Sequence, residues 1–277
     1  MVLEEYNEIC ERIDQHDLKS AHAVLANVKG LVEDLTGRTE DPFQWAMTGD
    51  TSASSGTEAS SAIALPLRHL RRVQVAYYLQ RYDLAEKALA LFVAAWPDDL
   101  TYPTLVLGFF FQVLVHTACY RESKQRRHKS RARRCFRSAY KKLSDRRLNN
   151  SHKFKILEAD MESTFHDEYS ARVKDLFDEA IADALARSFI QDAALANELA
   201  GEYFLRVRGD DDQFWAKRYF TNAHALYVAW EAKAKVQHLM KRRHDYIDLE
   251  ISKEVRFTPS RVRFLSDSHD STGLSDK

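Results

Sequence analysis

A small residue, an aromatic and a second small residue recur along the chain at offsets of four and three: Ala132, Phe136, Ala139; Val173, Phe177, Ala180; Ala216, Phe220, Ala223. Those offsets put all three side chains on one face of a helix. The small residues admit a neighbouring helix and the ring fills the gap between them. Ala85, Leu89 and Phe92 carry the same beat, and Ala21, Leu25 and Val28 a weaker copy. The steps from 85 to 132, 132 to 173 and 173 to 216 are 47, 41 and 43 residues, whereas the step from 21 to 85 is 64. Periods of this length fit arrays of helix pairs of the tetratricopeptide-like and HEAT-like classes. One amphipathic pair cannot bury its apolar faces alone, so neighbouring pairs must stack into a shared core. The pattern predicts an all-α fold: an elongated, tetratricopeptide-like α-solenoid of about five antiparallel helix pairs over residues 1–251, with the repeat on its inner helices.

The first pair is expected over Val2 to Leu35, broken near Gln15 to Asp17. A flexible insertion follows at about 36–62, where TGDTSASSGTEASS offers little apolar surface to offset the entropy of ordering it. Ile63 to Gln80 and Asp83 to Ala95 form the next pair, stopped by Trp96-Pro97 because proline lacks a donor and disfavours helix in the preceding residue. Further helices are expected over Thr101 to Arg121, His128 to Leu143, Asn149 to His166 and Tyr169 to Ser188. The last pair, Asp192 to Arg208 and Gln213 to about Arg242, is split at Gly209 to Asp212. Residues 252–277 read as a disordered tail.

Composition agrees, with only 8 Gly and 5 Pro in 277 residues; this is poor in turns for a sandwich or barrel. The net charge of zero conceals a separation. Residues 1–60 hold 12 acids against 4 bases, and 121–147 hold 13 bases against 2 acids. Cys10, Cys119 and Cys135 are too few for a disulfide framework and no leader pattern opens the chain; both predict a cytoplasmic setting.

The basic stretch supplies the main candidate interaction surface: Arg126, Arg127, Lys129, Arg131, Arg133 and Arg134. Such density suits the phosphates of anionic lipid or nucleic acid. The repeat residues Ala132, Phe136 and Ala139 run through it, however, which also describes an ordinary packed helix with a solvated basic side. Thr101 to Tyr120 is strongly apolar, but Gln112 and His116 interrupt it, so it reads as a buried central helix and not a membrane span. His116 and Cys119 share a helix face and could hold a soft metal with His128 or Cys135; a buried metal-free pair is the expectation. Asp210 to Asp212 lack the alternation of a calcium loop. Glu198 and Glu202, four apart, read as a partly exposed helix edge. Tyr227 and Trp230 are expected to close the core or to seat a partner. No GxxxxGK[ST] loop, GxGxxG turn, or HRD or DFG set is present. No catalytic, cofactor-binding or metal-binding residue is therefore expected.

KFKILEADM (153–161), AALANELAGEYFLR (193–206) and KRYFTNAHALYVAWEAKAKVQHL (217–239) carry a resemblance. They resemble the superhelical segment of large signalling proteins in which a protein-kinase-like domain and an AAA-type ATPase precede helical repeats, and GAF and histidine-kinase or cyclase modules follow. Glu158-Ala159, Leu195-Ala196, Glu198-Leu199, Tyr227, Trp230, Ala232 and Ala234-Lys235 match the residue types of that segment, while Glu231 stands where the family usually has Gly. The resemblance implies a connecting or regulatory role with protein partners, since the chemistry in those proteins belongs to flanking domains.

Overall fold

The computed structural model describes residues 19–48, 64–96, 101–143, 150–166, 168–208 and 213–254. Among them the protein is all-helical, without strands. The helices are α1 (Lys19–Thr36), α2 (Gln44–Thr48), α3 (Ala64–Tyr78), α4 (Tyr82–Ala94), α5 (Tyr102–Ser123), α6 (Arg126–Lys142), α7 (Ser151–Phe165), α8 (Ala171–Ala186), α9 (Ile190–Arg208), α10 (Phe214–Ala229), α11 (Lys233–Arg243) and α12 (Leu249–Glu254).

Four consecutive pairs, α3/α4, α5/α6, α7/α8 and α9/α10, form the body. The first helices also touch in sequence, α3 on α5, α5 on α7 and α7 on α9, and make an inner layer. The repeat residues lie on the second helices, which corrects their expected place. Ala85, Ala132, Ala139, Val173, Phe177, Ala180, Ala216, Phe220 and Ala223 are buried, and Phe136 is half-buried. Two glycines of the inner layer receive repeat aromatics. A Cβ at Gly201 would come 2.9 Å from the Phe220 ring, and one at Gly108 2.9 Å from Phe92. The helices therefore approach closely only because those side chains are missing. In the weak copy Val28 is 49% exposed and Leu25 half-buried; α1 is tied to α3 by the Asp34–Arg71 ion pair at 2.8 Å.

α5 lies in the middle of the molecule. By length and composition it could cross a membrane, but it packs against α3, α4, α6 and α7, and Phe109, Phe110 and Phe111 are buried. Its end is set by Lys124 in the left-handed region (φ 55°). Gln80, Ser188 and Glu231 adopt the same conformation after α3, α8 and α10 (φ 54°, 63° and 61°). Each completes a Schellman pair of bonds; for Glu231 these are Ala232 N–H to Tyr227 O at 3.1 Å and Glu231 N–H to Val228 O at 3.0 Å. The long last helix expected to reach Arg242 is therefore broken at 230–232 into α10 and α11. Glu231 occupies the position where glycine is normally found.

That break turns α11 back. It packs against α1, and Lys235 Nζ donates to Tyr78 O at the end of α3 at 2.6 Å. The stack is thus not an open rod, because the last long helix meets the first. Part of the expected insertion is structured too: α2 follows Phe43, and Arg81 and Arg72 stack over Phe43 and Trp45 at 5.4 and 5.0 Å. The expected tail boundary falls inside α12, where Ser252 is buried and its Oγ lies 2.7 Å from His224 Nδ1. The first half of the expected first pair, the Ser-rich 49–63, the Gly209–Asp212 turn and 255–277 lie outside the described residues.

Candidate binding cleft

The inner faces of α3, α5 and α9 converge with α11 on a cleft of about 170 Å³. Tyr77, Tyr78 and Tyr82 line one side; Arg121, Glu202 and Arg242 bring charge. Its floor is a buried polar network centred on Glu198. One carboxylate oxygen accepts from Lys235 Nζ at 2.7 Å and Gln80 Nε2 at 2.9 Å, and the other from the Tyr227 hydroxyl at 2.7 Å. Glu198 is 3% exposed and Lys235 1%. A charge this deeply buried persists only when paired and hydrogen-bonded. Burial pushes the Lys235 amine below its ordinary pKa, and Glu198 opposes that shift. The reading of Glu198 and Glu202 as a partly exposed helix edge is therefore corrected for Glu198, which is buried; Glu202 is partly exposed as expected, and is held by Arg243 through two bonds, at 2.6 and 2.9 Å.

A second buried pair joins α5 to α7. Arg121 reaches Asp160 and donates to Thr164 Oγ1 at 2.9 Å. Burial raises the Asp160 carboxyl, with Arg121 acting against it. Asp160 Oδ2 and the Tyr77 hydroxyl are buried atoms without a hydrogen-bond partner among the described residues. Burial, and then the charge of Asp160, hold the Tyr77 phenol well above its ordinary pKa. Tyr77 packs edge-on to Phe111 at 5.8 Å and tilted to Tyr82 at 5.5 Å, so its ring is fixed while its hydroxyl stays unspent. The cleft thus offers a rigid aromatic wall and charges of both signs. A small polar group fits it; a folded domain does not.

The basic surface lies elsewhere. On α6, Ala132 and Ala139 are buried and Arg126, Arg127, Arg131, Arg133 and Arg134 are exposed. Lys129 is half-buried; its amine sits 4.8 Å over the Phe165 ring and 3.4 Å from Phe165 O. Arg133 stacks on the same ring at 5.3 Å, and Arg131 pairs with Glu86 at 3.5 Å. Tyr227 is corrected as an interaction-surface residue. It is fully buried, and its hydroxyl is consumed by Glu198. Trp230 is half-buried beside Tyr78, with ring centroids 5.5 Å apart. Sequence reasoning missed Tyr77, Gln80, Arg121 and Lys235, whose partners are up to 157 residues away.

No protein-family model matches the chain, and neither a curated protein nor a solved structure shows significant similarity to it.

Proposed function

We propose that the chain is a non-catalytic protein-interaction scaffold, a tetratricopeptide-like α-solenoid curled on itself that belongs to a signal-transduction assembly in the cytoplasm. The observation that carries this reading is the cleft where the inner layer meets α11, with its tyrosine wall and the charged Arg121, Glu202 and Arg242 beside it. A cleft of that size takes one polar side chain or a chain terminus of a partner protein. The ionisable groups around it favour binding over chemistry. Glu198 pairs with Lys235, Glu202 with Arg243 and Arg121 with Asp160, a pairing that ties helices together and supports a structural part for these groups. The resemblance to superhelical segments of signalling proteins points the same way, as do the free thiols of Cys119 and Cys135.

A second reading rests on α6, whose exposed Arg126, Arg127, Arg133 and Arg134 form a face suited to anionic membrane or nucleic acid. One selection experiment separates the two. Peptides selected from a displayed library on the full chain should share one polar residue and lose affinity with Arg242→Ala, which alters an exposed lining residue of the cleft. Charge reversal at the four arginines should leave them bound. Binding that instead collapses with added salt and with the charge reversals would transfer the function to α6.

A further inference from the structure

We propose that Glu86, Cys119 and His128 form a binding site for a thiophilic divalent cation of the zinc class, one that staples α4, α5 and α6 together. One donor atom from each residue lies within 4.8 Å of the others. Glu86 Oε1 and His128 Nδ1 are 3.6 Å apart. Tetrahedral zinc, with bonds of about 2.0 to 2.3 Å, spaces its donors about 3.5 Å apart. The carboxylate and imidazole already stand at that spacing, and a rotation of the Cys119 side chain brings the sulfur in.

The independent observation is the His128 ring. Its side chain is 3% exposed, yet Nδ1 faces Glu86 without a hydrogen-bond partner among the described residues. Arg127 Nε donates to Nε2 at 3.2 Å. An arginine has only donors, so in the metal-free chain the His128 proton sits on Nδ1. A cation on Nδ1 moves that proton to Nε2 and releases Arg127, whose exposed side chain swings into water. Arg131, half exposed and 3.5 Å from the same Glu86 oxygen, shifts to the other.

Cys119 contributes the selectivity. Its sulfur is a soft donor, buried and in no disulfide. Coordination breaks the S–H bond, forms a sulfur–metal bond and delivers one proton to solvent. A thiolate, an imidazole and a carboxylate match zinc and cobalt and disfavour magnesium or calcium. The fourth position is left to water or to His116, whose ring centroid is 6.1 Å from that of His128 and whose Nδ1 is likewise unpartnered. Helical spacing alone offers His128 or Cys135 as the third ligand. Glu86 lies on another helix, and Cys135 instead faces Gln112 Oε1 at 3.4 Å.

The test is cobalt titration of the metal-stripped, reduced full chain, followed by zinc competition. One equivalent of Co²⁺ should produce a thiolate-to-metal charge-transfer band, with about one proton released per ion, and Zn²⁺ should abolish the band. Cys119→Ala should eliminate the band, whereas Cys10→Ala and Cys135→Ala should retain it. Glu86→Gln alters a partly exposed side chain and keeps the fold. It should weaken binding by more than the roughly 10- to 100-fold that follows loss of an outer-shell partner alone. Absence of the band in the unmodified chain, its survival in Cys119→Ala, or unchanged affinity in Glu86→Gln would overturn the assignment.

Discussion

Replacing Lys235 with methionine keeps the aliphatic stem and deletes the ammonium that ties α11 to α9 and α3. The variant strands Glu198, 3% exposed, with only Gln80 and Tyr227 as donors, and removes the 2.6 Å bond to Tyr78 O. Breaking a buried ion pair by removing one partner typically costs about 3–5 kcal/mol, because an uncompensated charge remains. Both side chains here are almost fully enclosed, so solvent screening does not discount that range. Glu198→Gln strands Lys235 in the same way and should cost a similar amount. In the double variant neither charge survives, and its cost should fall short of the sum of the two singles by about 2 kcal/mol or more. Urea denaturation of all four proteins, followed by far-UV circular dichroism, gives the cycle. A Lys235→Met penalty below about 1 kcal/mol, or strictly additive singles, would refute the claim that this pair holds the last long helix in place.

Three further outcomes follow from the packing. Glu231→Gly should stabilise the chain by up to about 1 kcal/mol, because an exposed glutamate at φ 61° carries a left-handed penalty that glycine avoids; an unchanged or lower urea midpoint would contradict it. Ala223→Trp should cost about 1–3 kcal/mol or more by overpacking the seam of α10, and an unchanged melting temperature would reject that face assignment. Stability should also fall as pH drops from 6.5 toward 4. Burial, reinforced by Arg131 and His128, lowers His116 to about 4, and burial with Lys235 lowers His238 to about 3. Both rings are neutral in the folded chain but take up protons near 6.5 once unfolded, so their contribution is complete above 6.5 and is lost as pH falls toward the folded values. His116→Gln should flatten that slope in urea midpoints measured across the interval; an identical slope would exclude His116 as a source.

The all-helical class and most helix bounds were legible because they are local. The 4–3 beat marks buried faces in α4, α6, α8 and α10 through the period of the helix alone, and the interrupted apolar run of α5 correctly reads as a core helix. The cleft was not legible. Glu198 and Glu202, four apart, look like an ordinary solvated edge until Lys235 and Arg243 arrive from another helix. Tyr227 and Trp230 looked alike in sequence, yet Glu198 draws one hydroxyl inward while Trp230 stays half-buried. The return of α11 depended on a left-handed residue at Glu231, a conformation that the side chain does not advertise. An absent glycine therefore concealed the break that closes the inner layer.

That closure is tested most directly by a cross-link between α11 and the residue that follows α1. A Cβ built at Gly37 would lie 3.8 Å from the Cβ of Ala234, which is the typical separation across a disulfide. A cysteine at Gly37 (φ 75°) carries about 1–2 kcal/mol of left-handed strain, well within what a native fold of this size tolerates. In a chain whose native cysteines are replaced by alanine, Gly37→Cys with Ala234→Cys should oxidise nearly completely to an intramolecular disulfide. Failure to form it, or formation of intermolecular bonds only, would mean that the stack is open and that the cleft does not exist.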